Sequence, residues 1–312
     1  MNELGALFIA APRELSDKRF IELIKVNLPK GHIVLGLAKE DFIDGFEGQP
    51  QFKTLQPKNV KSIAEKVNRH SKNKVVTIEY FQRELKYLLE KLNFRKVLFI
   101  NGSWKYAFHT LEPYYALVNR KTDFELVTPF TDETDAKNYA KKVAKEIEQA
   151  ADLPQPGSLH NEESMLTIAD KARLFSFDYN FQTGASLGRR TKSGKYSLLT
   201  TSHNNVVPYE TYAMHFGASR ERHHSPPNDL NHYDTVHAEV ELLIETSKKS
   251  IDLKGTTLFI NLLPCPPCSR MLSQTDITEI VYSEDHSAGY AVKMFELAGK
   301  SVRRVINQSE LD

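Results

Sequence analysis

The most constraining feature of this chain is that its two cysteines lie three residues apart, in the run Leu263-Pro264-Cys265-Pro266-Pro267-Cys268. A second run, Val236-His237-Ala238-Glu239, precedes them by about the length of one helix and one strand. Together the two runs supply one imidazole, two thiolates and a carboxylate. Zinc binds nitrogen and sulfur ligands in tetrahedral sites, and a catalytic site keeps one position open for water. We therefore predict a zinc ion bound by His237, Cys265 and Cys268.

The residues around these ligands also suit catalysis. The prolines beside the thiols predict that Cys265 and Cys268 lie on the first turn of a helix, where backbone N–H groups and the helix dipole lower a thiol pKa. His237 is predicted to open a different helix, residues 237–247. Glu239 lies two residues beyond the imidazole, and we predict that it is the catalytic residue, which carries protons without binding the metal.

The cysteine pair allows two other interpretations. A purely structural zinc site would leave Glu239 as a solvated helix residue and would need a fourth ligand. The candidate histidines are His223, His224, His232 and His286. A redox-active pair is the other alternative, but thioredoxin-type motifs lack an upstream His-Ala-Glu run. The two-part pattern favours the catalytic interpretation over both.

Length and composition limit the classes of protein that this chain can be. Its 312 residues exceed the usual size of one hydrophobic core, which predicts two domains. An apolar content of 40% without a long apolar run disfavours a membrane protein. The first apolar run, residues 6–11, is interpreted as a buried strand and not as a targeting segment. Two cysteines at this spacing do not form a disulfide framework, so we expect a reducing, cytoplasmic location.

The charge of the chain bears on its partners. The formal net charge is +1, and no run of five or six basic residues occurs. This disfavours an extended nucleic acid, which needs many phosphate contacts. A small phosphorylated ligand remains compatible with the sequence, because it needs only a few well-placed cations.

A stretch with two prolines and a glycine near the middle divides the chain. We predict a Rossmann-like α/β accessory domain at 1–150, a linker at 151–160 and a zinc-dependent domain at 161–312. Strand and helix patterns alternate in the first domain, which is typical of a doubly wound parallel sheet. Its predicted strands are 6–10, 32–37, 74–78, 96–100 and 124–127, and its predicted helices are 18–27, 59–68, 80–92, 108–119 and 134–149.

The loops beyond the strands of such a sheet are where ligands bind, here residues 11–13, 101–104 and 128–130. The first domain contains neither G-x-G-x-x-G nor G-x-x-x-x-G-K-[ST], which disfavours a dinucleotide or Walker-type site. We interpret the domain as a scaffold or oligomerisation domain. The alternative is a nucleotide site at residues 101–104, where Trp104 would stack on a base.

The second domain is predicted to be an α/β layer with a mixed sheet. A long polar loop, residues 206–234, separates its second strand from His237. The predicted strands are 183–187, 196–201, 256–262, 277–282 and 301–305, and the predicted helices are 162–175, 237–247, one that runs from the cysteines toward residue 272, and 288–298.

These segments resemble the cytidine and deoxycytidylate deaminase superfamily over residues 162–305. The pattern H-x-E…P-C-x-x-C is the signature of the zinc-dependent nucleobase deaminases. Ser176-Phe177-Asp178 followed by Gly184-Ala185 is similar to the S-x-D…G-A passage of the family. The strand that ends in His203-Asn204 is similar to the family's strand ending in G-[YWH]-N. Residues 256–260 and 277–282 resemble the strands on either side of its P-C-P-P-C run.

The resemblance implies an α/β/α layered domain, a Zn²⁺ cofactor and a set of substrate contacts. Asn204 would contact the sugar and the base edge, and the backbone N–H groups of Ala238 and Glu239 would hold the base carbonyl. Ser202 and Asn205 stand where the family has glycines, so that loop is expected to differ in shape. The P-C-P-P-C run with H-A-E is similar to the deoxycytidylate deaminase branch. Relatives form dimers or hexamers, so a homo-oligomer is expected.

Cations for a substrate phosphate are predicted in the long polar loop. Arg220 and Arg222 lie there, and arginine forms paired hydrogen bonds with phosphate oxygens. A second candidate is the hairpin Arg189-Arg190-Thr191-Lys192, which is also typical of a solvated turn. His223 and His224 offer a second metal site, although adjacent histidines point apart on a strand.

We therefore predict zinc-dependent hydrolytic deamination of a cytosine nucleotide such as dCMP or CMP. Water would attack C4 of the ring, and ammonia would leave. The alternatives are a deaminase of RNA or single-stranded DNA, and a non-catalytic zinc-stabilised binding module. Steep salt dependence of oligonucleotide binding would favour the first alternative, and four protein ligands on the zinc ion the second.

Overall fold

A computed structural model describes residues 3–101, 108–179, 181–217 and 235–305. The chain forms two compact units, the first from Met1–Glu146 with Tyr209–His232, and the second from Ile147–Pro208 with Tyr233–Asp312. In the ranges that the structure describes, no helix is long and apolar enough to cross a membrane. The separate roles assigned to residues 1–150 and 161–312 stay predictions.

The first unit is built on five parallel strands in the order β3-β2-β1-β4-β5. This order confirms the predicted doubly wound parallel sheet. The elements are β1 (Glu3–Ala11), α1 (Asp17–Asn27), β2 (Ile33–Ala38), α2 (Pro57–His70), β3 (Val75–Tyr80), α3 (Leu85–Lys91), β4 (Asn93–Ile100), α4 (Glu112–Arg120), β5 (Asp123–Val127) and α5 (Glu133–Ala151), of which residues 133–146 belong to this unit.

The central strand β1 explains why the sheet has helices on both faces. Leu7 and Ile9 pack in one core with residues of α1 and α2. Ala6 and Phe8, which point the other way, pack in a second core with residues of α3 and α4. Because both faces are covered, the strand is a continuous apolar run and does not alternate with polar residues.

The predicted helix 80–92 is wrong at its start. Tyr80 is the last residue of β3, and α3 begins only at Leu85. Between them lies a short 3-10 turn, in which the carboxylate of Glu84 accepts a hydrogen bond from the N–H of Phe81 at 3.2 Å. This local contact stabilises a turn at a position where the apolar periodicity alone predicts a helix.

The predicted polar loop 206–234 is wrong in its first part, which contains the helix α7 (Tyr212–Phe216) of the first unit. Met214 is fully buried, and its carbonyl accepts a hydrogen bond from the Arg13 guanidinium at 3.4 Å. The His215 ring stacks on Phe216 with their centroids 4.3 Å apart. Residues 218–234 lie outside the described ranges.

The second unit contains a six-stranded mixed sheet in the order β13-β12-β11-β7-β8-β6. Strands β11, β12 and β13 are parallel, whereas β7 is antiparallel to both β11 and β8. The elements are β6 (Leu159–His160), α6 (Glu162–Ala172), β7 (Gly184–Arg190), β8 (Tyr196–His203), β9 (Asn205–Val206), β10 (Thr235–Val236), α8 (Ala238–Lys248), β11 (Thr256–Leu262), α9 (Pro266–Ser273), β12 (Glu279–Glu284), α10 (Tyr290–Leu297) and β13 (Ser301–Arg304).

Strand β11 organises three layers in this unit. Leu258 and Ile260 face a core shared with residues of α8, α9 and α10. Phe259 faces the opposite core, where Met165 of α6 is fully buried. The sheet therefore lies between helices on both faces, as predicted. The carboxyl end of β11 leads directly to Cys265.

Candidate zinc and catalytic site

Two helix starts position the predicted metal ligands. The short pair β9–β10 ends at Val236, and the next residue is His237, whose extended backbone (φ −63°, ψ 151°) makes it the N-cap of α8. Cys265 is the N-cap of α9 with a similar backbone (φ −64°, ψ 165°), and Pro266 opens the helix. Proline suits the first turn of a helix because its φ is already helical. Its lack of an N–H costs nothing there, since an N–H in the first turn has no partner within the helix.

The three ligand atoms converge. The Nδ1 atom of His237 lies 3.5 Å from Sγ of Cys265 and 3.4 Å from Sγ of Cys268. All three ligand atoms lie within 4.8 Å of one another. One imidazole nitrogen and two thiol sulfurs at this spacing fit a tetrahedral zinc ion with one further coordination position. Among the described residues, no other group of three histidine, cysteine or acidic side chains converges in this way.

Contacts within the cluster shift the pKa values of the two thiols in opposite directions. Hydrogen bonds from the Cys268 thiol and from His237 lower the pKa of Cys265 to about 4. The same contact with Cys265, together with burial, raises the pKa of Cys268. The hydrogen bond to Cys265 also raises the pKa of His237. The lowered pKa favours the thiolate form of Cys265, and the thiolate is the form of cysteine that binds zinc.

Glu239 is the carboxylate nearest to this cluster in sequence, and it is buried with 3% of its surface exposed. Burial raises its pKa to about 7, and the Cys268 thiol donates a hydrogen bond to it. A carboxyl group with a pKa near neutrality both accepts and releases protons readily, which is what a general acid and base requires.

The cluster opens into a cavity of about 520 Å³, a size typical of sites for small molecules. The cavity is lined by the predicted residues Asn204, Ala238 and Glu239 as well as by the three ligands. Two aromatic side chains that were not assigned a substrate contact from the sequence also line it. Phe181 is 52% exposed, and its ring centroid lies 6.2 Å from that of His286. Their place depends on loop conformation, for which the sequence carries no clear signal.

Asn204 connects the segments that surround the cavity. Its Oδ1 accepts a hydrogen bond from the backbone N–H of Thr183 at 2.8 Å, and its Nδ2 donates to the Phe181 carbonyl. Asp178 accepts a hydrogen bond from the Thr235 hydroxyl at 2.8 Å and one from Asn204 at 3.4 Å. This network fixes the cavity wall beside His237, and the predicted contact of Asn204 with the substrate stays a prediction.

The residues predicted to bind a phosphate lie partly outside the described ranges. Arg220 and Arg222 lie outside the described ranges, as do His223, His224, His232 and Trp104. In the alternative hairpin, the Arg189 guanidinium donates to the Asp252 carbonyl at 2.6 Å.

Comparison with known proteins addresses the origin of this site. A family model described as the zinc-binding region of cytidine and deoxycytidylate deaminases matches residues 161–284. Human deoxycytidylate deaminase is 31% identical to the chain over 154 residues, which are 46% of this chain and 79% of the human protein. This chain belongs to the cytidine and deoxycytidylate deaminase family. The residues matched by the family model, 161–284, include His237, Glu239 and both cysteines.

Two further family members extend the comparison. Deoxycytidylate deaminase of enterobacteria phage T2 is 22% identical over 126 residues, which cover 38% of this chain and 67% of the phage protein. The solved structure of dCMP deaminase from cyanophage S-TIM5, in complex with dCMP and dUMP, is 20% identical with a TM-score of 0.35. That match covers 46% of this chain and 96% of the cyanophage chain.

Proposed function

We propose that residues 161–312 deaminate a cytosine nucleotide, dCMP in the first place, by zinc-dependent hydrolysis. The observation that carries this proposal is the convergence of His237, Cys265 and Cys268 beside a buried Glu239 in one cavity. The choice of dCMP is supported by the similarity to human deoxycytidylate deaminase.

The side chains at the site suit this reaction. When bound, zinc supplies a water whose lowered pKa makes it a nucleophile near neutral pH. Glu239 delivers a proton to N3 of the cytosine ring and later to the departing amino group. The balance is one water consumed, one uracil base formed and one ammonia released. A pKa near 7 lets Glu239 take up and release a proton within each turnover.

Substrate binding is assigned to the cavity wall. The backbone N–H groups of Ala238 and Glu239 lie in the first turn of α8, where an amide has no backbone acceptor within the helix, so they suit the base carbonyl. Asn204 is assigned to the sugar and base edge, because it lines the same cavity. Arg220 and Arg222 are assigned to the 5′-phosphate.

The direct test is ammonia release from cytidine, CMP, dCMP, dCTP, adenosine and guanine. Glu239→Gln is expected to lower kcat by about 10²- to 10⁴-fold, because the proton carrier is lost while the ligands stay. Metal analysis should find zinc in the variant at the wild-type ratio. Glu241→Gln, two residues further along α8, is the matched control and should keep wild-type activity. Wild-type turnover by Glu239→Gln would overturn the assignment.

The phosphate assignment has its own test. Replacement of Arg220 and Arg222 by alanine should raise KM for dCMP about tenfold or more, since a charge-assisted hydrogen bond is lost. KM for deoxycytidine, which lacks the phosphate, should not change. Arg304→Ala in β13 serves as the control for loss of a cation in the same half of the chain. An equal rise in KM for both substrates would contradict the assignment.

A further inference from the structure

The first unit contains a second cavity, which the proposed deamination does not use. Its volume is about 820 Å³, within the range of small-molecule sites. The cavity is lined by Pro12 after β1, by residues 40–47 after β2 and by residues 80–86, which lead from the end of β3 into α3. It therefore lies at the carboxyl ends of parallel strands, which is the edge where open α/β sheets bind ligands.

Tyr80 is the strongest sign that this cavity takes a ligand. The side chain lines the cavity but is only 3% exposed, and among the described residues its hydroxyl has no hydrogen-bond partner. A buried hydroxyl without a partner is rare because it has lost its hydration without compensation. Burial and the nearby Glu40 carboxylate raise the pKa of Tyr80, so the hydroxyl stays a donor at neutral pH.

The backbone of β2 makes room for the Tyr80 ring. A Cβ atom on Gly36 would lie 2.9 Å from Cε1 of Tyr80 and 2.6 Å from Cζ of Phe8. Such distances are shorter than van der Waals contact, so a side chain at this position would displace one of the two rings. Glycine at position 36 therefore allows Tyr80 to occupy its place in the cavity wall.

Apolar and aromatic side chains form flat walls. Phe42 and Phe81 line the cavity together with Leu85 and Leu111. Phe81 is partly exposed, and the Lys39 ammonium group lies 4.6 Å from its ring centroid. An aromatic face at the mouth of a cavity suits a ligand that carries a planar ring.

The charges in the lining are mainly negative. The carboxylates are Glu40, Asp41, Asp44, Glu47 and Glu112, and the cations are Arg83 and Lys86. Lys86 forms an ion pair with Glu112 at 3.3 Å. Carboxylates accept hydrogen bonds from hydroxyl and amino groups, whereas they repel phosphate.

We propose that this cavity binds a nucleoside. The planar base stacks on Phe81, the sugar hydroxyls donate to the carboxylates that follow β2, and the Tyr80 hydroxyl donates to an acceptor on the ligand. The acidic lining selects a nucleoside over its triphosphate. This site needs no phosphate-binding loop, which agrees with the absence of a glycine-rich motif after β1.

Titration calorimetry on the full chain tests the proposal with the four common ribonucleosides, their 5′-triphosphates and Mg²⁺ alone. At least one ribonucleoside should bind, and more tightly than its triphosphate and its 2′,3′-dideoxy form. Tyr80→Phe should weaken that binding about tenfold, the loss expected for one hydrogen bond. Tyr87→Phe, which removes a hydroxyl from an exposed tyrosine of α3, is the matched control and should bind like wild type. Phe81→Ala should also weaken binding.

Three results would overturn the proposal. The first is the absence of any ribonucleoside binding at millimolar concentration. The second is nucleoside binding that survives both Tyr80→Phe and Phe81→Ala, which would place it elsewhere, as at the cavity beside His237. The third is Tyr80-dependent binding of Mg²⁺ without nucleoside binding. Ammonia release by Tyr80→Phe should equal that of wild type, so failure here is distinguishable from failure of the deaminase assignment.

Discussion

Burial shifts the pKa values of Glu239 and His203 in opposite directions. Burial raises the pKa of Glu239 to about 7 and lowers that of His203 to about 4. In both cases the neutral form is favoured, because a low-dielectric environment disfavours charge. His203 is the last residue of β8, and its ring stacks on Phe175 with the centroids 5.6 Å apart. At Glu239 the shift suits the proposed proton transfer, whereas at His203 we expect it to make stability depend on pH.

The pH dependence follows from the sign of the His203 shift. Its pKa in the folded state, about 4, lies below the unfolded value of 6.5. The unfolded state therefore binds more protons between these values, and the stabilisation present above pH 6.5 is lost as the pH falls toward 4. His203 contributes at most about 1.4 kcal/mol per pH unit to the slope of the free energy of unfolding against pH. Denaturant unfolding of His203→Gln from pH 4.5 to 8 should show a smaller slope below pH 6.5. An unchanged slope would contradict this.

Strand β11 and helix α7 show which elements the sequence can predict. The predicted and observed bounds of β11 agree, because residues 256–261 are all buried and the strand lies between Gly255, with φ at +69°, and Pro264. Helix α7 was missed because its burial depends on distant partners. Arg13 binds the Met214 carbonyl, and Phe130 contacts the His215 ring, with centroids 5.8 Å apart. No pattern within residues 206–234 encodes those contacts.

The close approach of α6 to β7 depends on Gly184. A Cβ atom there would lie 2.1 Å from the Ala169 carbonyl oxygen and 2.4 Å from the Arg173 nitrogen. Both are backbone atoms of the α6 region and cannot rotate away. Gly184→Ala is expected to lower the free energy of unfolding by about 1–3 kcal/mol or more, which urea denaturation would measure. Gly5→Ala, where nothing lies within 4 Å, is the control and should change it little.

The metal ligands could be predicted from the sequence, whereas only some of the residues that line the cavity around them could. His237, Cys265 and Cys268 are identifiable because few residue types bind zinc and their spacing in the chain is restrictive. Phe181 could not be assigned to the cavity, since a loop places it there. Tyr80 could not be assigned to a cavity either. The sequence pattern predicts it as the first residue of a helix, whereas it is the last residue of β3.

Zinc removal should act on the second unit, because all three ligands belong to it and join the first turns of α8 and α9. Where the free zinc concentration is about 100 times its Kd, zinc binding raises the free energy of unfolding by about 2.7 kcal/mol. A chelator should therefore speed amide hydrogen exchange in residues 237–248 and 263–273 by up to about 100-fold. Peptides from β1 to β5 serve as the internal reference and should exchange at their original rates. Cys268→Ala should exchange rapidly in the same two segments with or without chelator. Equal acceleration in the β1–β5 peptides would show instead that the metal stabilises the chain as one cooperative unit.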